Sequence, residues 1–539
     1  MSIHRAPDGP AGARVARHQV VPYSDNAVAF AAAFVGVMAF GIYLRTMMPS
    51  TGFWDTAEAQ TVPATLSIFH PTGFPTYAML GWLWSQLPVG EVAWRMNLLS
   101  GVCIALAAAL VVLIAGHLIS QRHAGLAAAA AGVAGAVFAF APEPWENAAR
   151  ADVHAVNVFF VALVMWLLFA WRAAERAGAP RAGGWLIGAA LAFGIGMGAH
   201  PLVGLLAFGI VAWLLVVDVG IWRRWRLILA CAAVLALGMA TYAYIPVRAL
   251  IDPEPPLFYA RPDTWERLRY LVFAEQFRGL FDSFETPLAN LGAKWADAER
   301  VLELQYFGPG WLLVAVGAAT LATRHAGALL FLSLVVLANV VYSTNFRDGD
   351  IDRYYMPTIV ATAPMLGVAV ASVGAMCARA AAEASRRLAD IEARRRLASL
   401  AGAVVILLAA IVPAASLVTQ YSSHDQSANR DADRWVASVH EALPPNAVVV
   451  SWWSYSTPLW YHRWVLGARS DVTIVDERNI IDSGLGTMHN AIRTYIADRP
   501  VYVVPPHWEV ERITERWETR TVATYPGFTD LLFIEGRRP

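Results

Sequence analysis

The chain has 539 residues, 57% of them hydrophobic and 15% charged, with a formal net charge of zero. Soluble domains carry about 25% charged residues, so this composition excludes a soluble protein and describes a polytopic α-helical membrane protein. The absence of net charge gives no field that would gather nucleic acid, and Cys103, Cys231 and Cys377 stand too far apart for a disulfide framework or a metal cluster.

Residues 1–25 hold Arg5, Arg14 and Arg17 without hydrophobic periodicity and read as a disordered cytoplasmic N-terminus. Apolar segments follow at 26–44, 96–119, 124–141, 154–171, 185–199, 202–217, 227–247, 309–323, 326–343, 355–376 and 399–419. These predict about eleven transmembrane helices, each near the length that crosses a bilayer. The first is long enough to stay as an anchor rather than be cleaved as a signal peptide. A shorter run at 76–87, between Pro75 and Pro88, reads as a re-entrant or interfacial helix.

Arginine placement sets the expected orientation. With the N-terminus cytoplasmic, the loops holding Arg122, Arg172, Arg176, Arg181, Arg223, Arg224, Arg226 and Arg324, and the Arg-rich run 377–398, all fall on the cytoplasmic side. The outer side receives a first loop at 45–95, the 142–153 loop, a segment at 248–308, the 344–354 loop and the tail 420–539. That tail has soluble patterning. It predicts helices at 430–442, 456–466 and 485–498 and strands at 447–451, 472–475 and 501–504, an extracytoplasmic α/β domain. It carries no G-x-G-x-x-G, Walker or D-x-D motif, so nucleotide binding has no support.

The polar residues outside the basic loops cluster on the outer side. Asp55 and Glu58 sit at i, i+3 and share a helix face if a helix begins near Thr56; the same spacing is an N-capping pattern, with Asp55 as the cap. Carboxylates at a membrane surface are costly unless used, which favours a functional pair. His70 projects from H-P-T-G-F-P, where two prolines and a glycine fix a non-helical backbone; imidazole there can donate to phosphate or carry a proton. Asp152 and His154 open the fourth span two residues apart, so at most one points into a cavity, and Asp152 suits a helix start. His200 precedes Pro201 in a break between apolar runs. Arg95 and Arg248 are lone arginines at interfaces, where snorkelling is the ordinary explanation. Arg347, Arg353 and Tyr354 lie in N-F-R-D-G-D-I-D-R-Y-Y, suited to a lipid-linked phosphate by bidentate guanidinium contacts. Its alternating aspartates lack the later Glu of a calcium loop.

The order of one span, G-F-W-D-T-A-E-A-Q (52–60), H-P-T-G-F-P-T-Y (70–77) and R-M-N (95–97) resembles the GT-C glycosyltransferase family of transmembrane protein 260, a protein O-mannosyltransferase. The usual pattern there is D-S-G-E followed by H-P-P-G-Y-P-L-Y. Asp55, Glu58, His70, Pro71, Gly73 and Pro75 match it, Ala57 and Thr72 depart from it, and Asp152-Val153-His154 stands where members have E-V-Y. The resemblance is strongest over 26–170 and weaker to 376. It implies a GT-C transmembrane domain over 26–419 and a multi-pass protein of the bacterial inner membrane. The implied reaction is inverting transfer of a sugar, mannose in the eukaryotic case, from a polyprenyl-phosphate donor to a protein or glycolipid hydroxyl. Asp55 would be the base, Glu58 its orienting partner or itself the base, and His70 with the arginines would steady the phosphate. Some GT-C enzymes use a divalent ion such as Mg or Mn and others none; the sequence leaves both open. The rival readings are a lipid-linked sugar flippase or transporter, against which the polar groups gather at one face, and a non-catalytic scaffold.

Overall fold

Apolar stretches inside lipid can satisfy their backbone hydrogen bonds only within helices or closed barrels, and a computed structural model of the chain folds them as helices. It describes residues 25–119, 124–281, 290–306, 308, 310–386 and 390–539. The expected N-terminal arm, apart from residue 25, lies outside the described residues. The first candidate span is α1 (Asp25–Thr46), and the region between it and the next candidate span holds α2 (Trp54–Thr65) and α3 (Pro75–Ser85). The chain continues through α4 (Val92–Leu118), α5 (Ala124–Ala139), α6 (Pro142–Ala149), α7 (Val153–Arg176), α8 (Gly183–Ala199), α9 (Leu206–Val217) and α10 (Trp225–Met239). Three shorter helices, α11 (Tyr244–Leu250), α12 (Trp265–Val272) and α13 (Leu291–Gln305), lead to α14 (Gly310–Arg324), α15 (Ala326–Asn345), α16 (Met356–Ala384) and α17 (Ile391–His424).

Each of the eleven apolar segments is helical. Seven helices among the described residues are long and apolar enough to cross a membrane, and up to nine if two bent pairs each count as one. The pairs are α5 with α6, bent by 62° where Pro142 opens the second helix, and α13 with α14. The apolar runs of α8 and of 201–217 are shorter than a full span. With only 11 residues, α3 is about 16 Å long, too short for a core of about 30 Å. The centre of the bundle is α16, buried without interruption from Met356 to Ala371. Glycine lets its neighbour approach: a Cβ on Gly317 of α14 would lie 1.9 Å from the Met365 carbonyl oxygen.

After α18 (Asp431–Ala442) the chain builds a five-stranded sheet from β1 (Val448–Ser451), β2 (Thr473–Asp476), β3 (Val501–Val504), β4 (Trp517–Ala523) and β5 (Leu531–Arg537). The order is β2-β1-β3-β5-β4; the first three strands are parallel and β5 pairs antiparallel with β3 and β4. Alternation decides the packing: Val449 joins Trp435 and Tyr455 on one face, whereas Val448 and Val450 join Ile492 and Val503 on the other. Helix α19 (Trp453–Trp460) follows β1, α20 (Glu477–Asp482) and α21 (Met488–Tyr495) lie between β2 and β3, and α22 (Val510–Arg516) precedes β4. The hairpin of β4 and β5 is additional to the strands expected from the sequence. The sheet unit is tied to the helices by the Ala93 N–H donating to the Tyr461 hydroxyl (2.9 Å) and the Ala260 N–H donating to the Asp482 carboxylate (3.0 Å).

Gly317→Ala is expected to force α14 from α16. Overpacking costs ~1–3 kcal/mol, read as a lower midpoint of thermal unfolding in detergent.

Candidate active site

The loop between α1 and α4 is fixed by two buried amides. Gln60 of α2 accepts from the Thr51 hydroxyl (2.9 Å) and the Gly52 N–H (3.1 Å), and its own NH2 donates to Asn97 Oδ1 (2.9 Å). Asn97 of α4 donates to the Met48 carbonyl (2.8 Å) and accepts from the Ala151 N–H (2.8 Å). One pair of amides therefore sets both the turn before α2 and the turn before α7. Ser100, one turn along α4, accepts the Asp152 N–H at 3.0 Å.

On this mount, Asp55 and Glu58 do not cap α2. The cap position is Phe53, which makes no side-chain capping bond. Arg353 donates through Nη2 to Asp55 Oδ2 (2.6 Å) and through Nη1 to Asp152 Oδ2 (3.1 Å). Asp152 also caps α7, accepting from the His154 N–H at 2.7 Å, so its helix-start role and its ion pair coexist. The His70 N–H donates to Glu58 Oε1 (2.9 Å), while the ring Nδ1 contacts Glu58 Oε2. Burial opposes charge on Asp55, but Arg353, helped by His70 and His154, outweighs it and holds the carboxyl down at about 2. Burial likewise opposes charge on His70, and Glu58, with Asp55 behind it, more than offsets this and lifts the imidazole above its ordinary range.

These groups open onto one cavity of about 860 Å³. Asp55, His70, His154, His200, Arg353 and Tyr354 lie on its wall. The His154 and His200 rings lie 4.5 Å apart by centroid, and Phe74 stacks on His200 at 5.3 Å. His154 Nδ1 is buried without a hydrogen-bond partner. The sheet unit contributes Trp452, Trp453 and Phe528 to the same wall.

Residues 55–225 match the family described as the Protein O-mannosyl-transferase TMEM260 N-terminal domain. Over 475 residues the chain is 24% identical to Protein O-mannosyl-transferase TMEM260 of Mus musculus, covering 83% of this chain and 62% of that relative. It therefore spans less than two thirds of that protein's length. Among solved structures it is similar to ArnT from Cupriavidus metallidurans in the apo state, with a TM-score of 0.56, 15% identity, and 95% of this chain and 98% of that one covered. ArnT bound to undecaprenyl phosphate matches with a TM-score of 0.55 at 15% identity, covering 93% and 97%. The Archaeoglobus fulgidus oligosaccharyltransferase tethered with an acceptor peptide matches with a TM-score of 0.50 at 14% identity, covering 94% and 76%. The chain has a GT-C fold. The resemblance read from its two N-terminal blocks is borne out.

Within this GT-C fold, three expected site residues stand elsewhere. Arg95 folds back to the carbonyls of Ser85 and Leu87, closing the turn after α3. Arg248 donates to the Leu66 carbonyl at 2.7 Å and to Ile251 and Pro253 (3.4 Å each). Arg347 lies off the cavity wall, its N–H donating to Leu280 (2.9 Å). The Arg95 and Arg248 guanidinium groups satisfy carbonyls that loops leave open, a demand no local pattern shows, whereas the Arg347 contact is made by its backbone. Glu58 is 1% exposed behind His70 and is not part of the wall; the geometry makes it the partner of His70. Asn97 stood out in the sequence only as a lone polar residue beside Arg95 at the start of the second span, and Gln60, Trp452 and Trp453 did not stand out. The only sequence signal for the amides is an uncharged polar group inside an apolar helix.

The ligand atoms of Asp55, Glu58 and His70 lie within 4.8 Å of one another. Two carboxylates and an imidazole are the donor types that Mn and other first-row ions accept, so the residues fit a divalent ion, although each donor already has a protein partner.

Asn97→Ala removes one partner from each of four groups: the Gln60 NH2, the Ala151 N–H and the Met48 and Ser50 carbonyls. A loss of ~1–3 kcal/mol and faster proteolysis at 47–53 in the folded protein are the expected outcomes, measured by thermal unfolding and timed digestion.

Proposed function

We propose that this chain is an inverting membrane glycosyltransferase that moves a sugar from a polyprenyl-phosphate donor to a hydroxyl of a protein acceptor. The observation that carries the reading is the convergence of Asp55, His70 and Arg353 on one cavity beside a sheet unit. Its likeness to TMEM260 and to an ArnT captured with undecaprenyl phosphate supports it. Mannose is the sugar the TMEM260 name suggests. A glycolipid hydroxyl has no comparable support.

In the reaction, the acceptor oxygen attacks the anomeric carbon and its proton passes to Asp55. The new C–O bond forms as the bond to the phosphate oxygen breaks, and the polyprenyl phosphate leaves with that electron pair. Arg353 holds Asp55 Oδ2 and so leaves Oδ1 for the proton. A carboxylate at about 2 is a weak base, which suits a proton transferred late, when bond formation has made the hydroxyl acidic. His70, steadied by Glu58, faces the developing negative charge as a donor. A divalent ion, when held by Asp55, Glu58 and His70, would add Lewis-acid stabilisation of the phosphate.

The membrane setting follows the arginines: N-terminus and basic loops on the cytoplasmic face of a bacterial inner membrane, cavity and sheet unit outside.

Transfer of radiolabelled sugar from polyprenyl-phosphate donors to purified acceptor protein tests the reading. Asp55→Asn is expected to lose ~100- to 10,000-fold in rate at unchanged folding; full activity in that variant, or no transfer by wild type from any donor, rejects it. A pH profile tests the partnership with Arg353. In wild type Asp55 is ionised at every pH from 5 to 8, so it adds no acid limb. Arg353→Gln removes the strongest influence opposing burial and raises the carboxyl, so residual activity should fall as pH drops from 8 to 5.

A further inference from the structure

Beyond the catalytic groups, the cavity has one wall with no assigned task, lined by Trp54 and Trp452 and continued outside the cavity by Trp508. Trp54, next to Asp55, meets Trp452 edge-on at 4.8 Å between centroids, and Trp452 meets Trp508 at 4.9 Å. These three indoles come from α2 and from the ends of two strands: Trp452 directly follows β1 and Trp508 follows β3 by four residues. The strands β1 and β3 are parallel neighbours, and with β2 on the far side of β1 the chain order reverses between them. In such sheets the crevice outside the carboxyl ends, at that reversal, is where ligands bind. Here that crevice opens into the cavity beside Asp55.

Trp54 and Trp508 are 52% and 62% exposed, so both present indole surface to solvent. Trp54 also begins α2 with φ of 56°, a left-handed conformation that a bulky residue keeps only where its surroundings hold it. What holds it is the sheet unit, through Trp452 and through Trp453 at 6.4 Å. Trp453 adds a buried Nε1–H without a hydrogen-bond partner.

We propose that Trp54, Trp452 and Trp508 form the acceptor subsite, a platform for an extended polypeptide segment with apolar or aromatic residues beside the accepting hydroxyl. The inference rests on the transferase reading and specifies how its acceptor is recognised. Two centroid steps of 4.8 and 4.9 Å match roughly three residues of extended chain at about 3.3 Å each, more than one sugar ring needs. Apolar side chains gain from burial against indole faces. The platform's own side chains offer no cation, which a phosphorylated glycolipid headgroup would require. Continuity with Asp55 places the hydroxyl-bearing residue at the inner end and leaves its neighbours on the platform.

The test is binding without donor, so that it does not depend on turnover. The full chain in detergent is titrated with synthetic Ser/Thr peptides flanked by Tyr, Phe and Pro, with the same peptides flanked by Glu and Gly, and with oligomannose. The expected result is saturable binding of the aromatic peptides alone, with Kd raised about tenfold in Trp508→Ala and Trp452→Ala, partly restored in Trp452→Phe, and unchanged in Trp265→Ala. Peptide binding with this pattern in a chain that transfers no sugar would sink the transferase reading and keep the platform. Peptide binding insensitive to Trp508 and Trp452, binding of oligomannose instead, or binding of neither overturns the platform, whether or not sugar transfer is found.

Discussion

A single guanidinium holds the site together. Arg353 joins Asp55 and Asp152, residues 298 and 201 positions away in the chain, and each anchors a different element: the start of α2 and the start of α7. Burying one cation between two carboxylates costs desolvation that ion pairing does little more than offset, so the arrangement is poor value as a device for stability alone. It makes sense as a way to keep Asp55 ionised in a half-buried wall where burial by itself would neutralise it. The loops it joins are held independently by Gln60 and Asn97, so the ion cluster does not also have to fold the loop.

The loop divides its side chains among three surroundings in successive residues. Phe53 stacks on Phe528 at 4.7 Å and meets Trp435 at 5.7 Å, entering the core on one face of the sheet. Trp54 lies at the boundary, and Asp55 turns into the cavity. The geometry around Asp55 therefore depends on the sheet unit being seated, because removing that unit would expose Phe53 and release Trp54 from its left-handed backbone. Membrane helices and sheet unit are in this sense one site, although their sequences differ in composition.

Much of this could be read from the chain. Apolar length located every helix of the bundle, since lipid permits no other solution, and polar residues that survive at a membrane surface pointed to Asp55, His70, His154, His200, Arg353 and Tyr354. The misreadings share one cause. Arg95, Arg248 and Arg347 looked like Arg353, but the first two serve loop carbonyls and the third sits off the cavity, and which of these an arginine does is set by distant chain. The capping spacing of Asp55 and Glu58 was a real local preference overridden by Arg353 and His70. The strand β4, Trp517–Ala523, escaped because it is a half-exposed edge strand with charged residues and lacks the continuous apolar run that marked β1 and β3, whereas β5 carries such a run over its first four residues and was overlooked.

The balance of charge around Arg353 bears on the proposed reaction. One guanidinium already faces Asp55 and Asp152 and, at 4.0 Å, Asp350, and in the proposed reaction a phosphodiester donor brings a further negative charge beside them. On departure the phosphate becomes a monoester, whose second ionisation near pH 6 adds more. The same step gives Asp55 the acceptor's proton, which removes its charge and loosens its hold on Arg353 Nη2. Proton transfer at the base thus frees guanidinium capacity just as the leaving group comes to need it. A lysine at this position could not serve both ends in that way, because its point charge lacks two fixed N–H edges; in the proposed reaction the fork geometry of Arg353 would couple base to leaving group across the cavity.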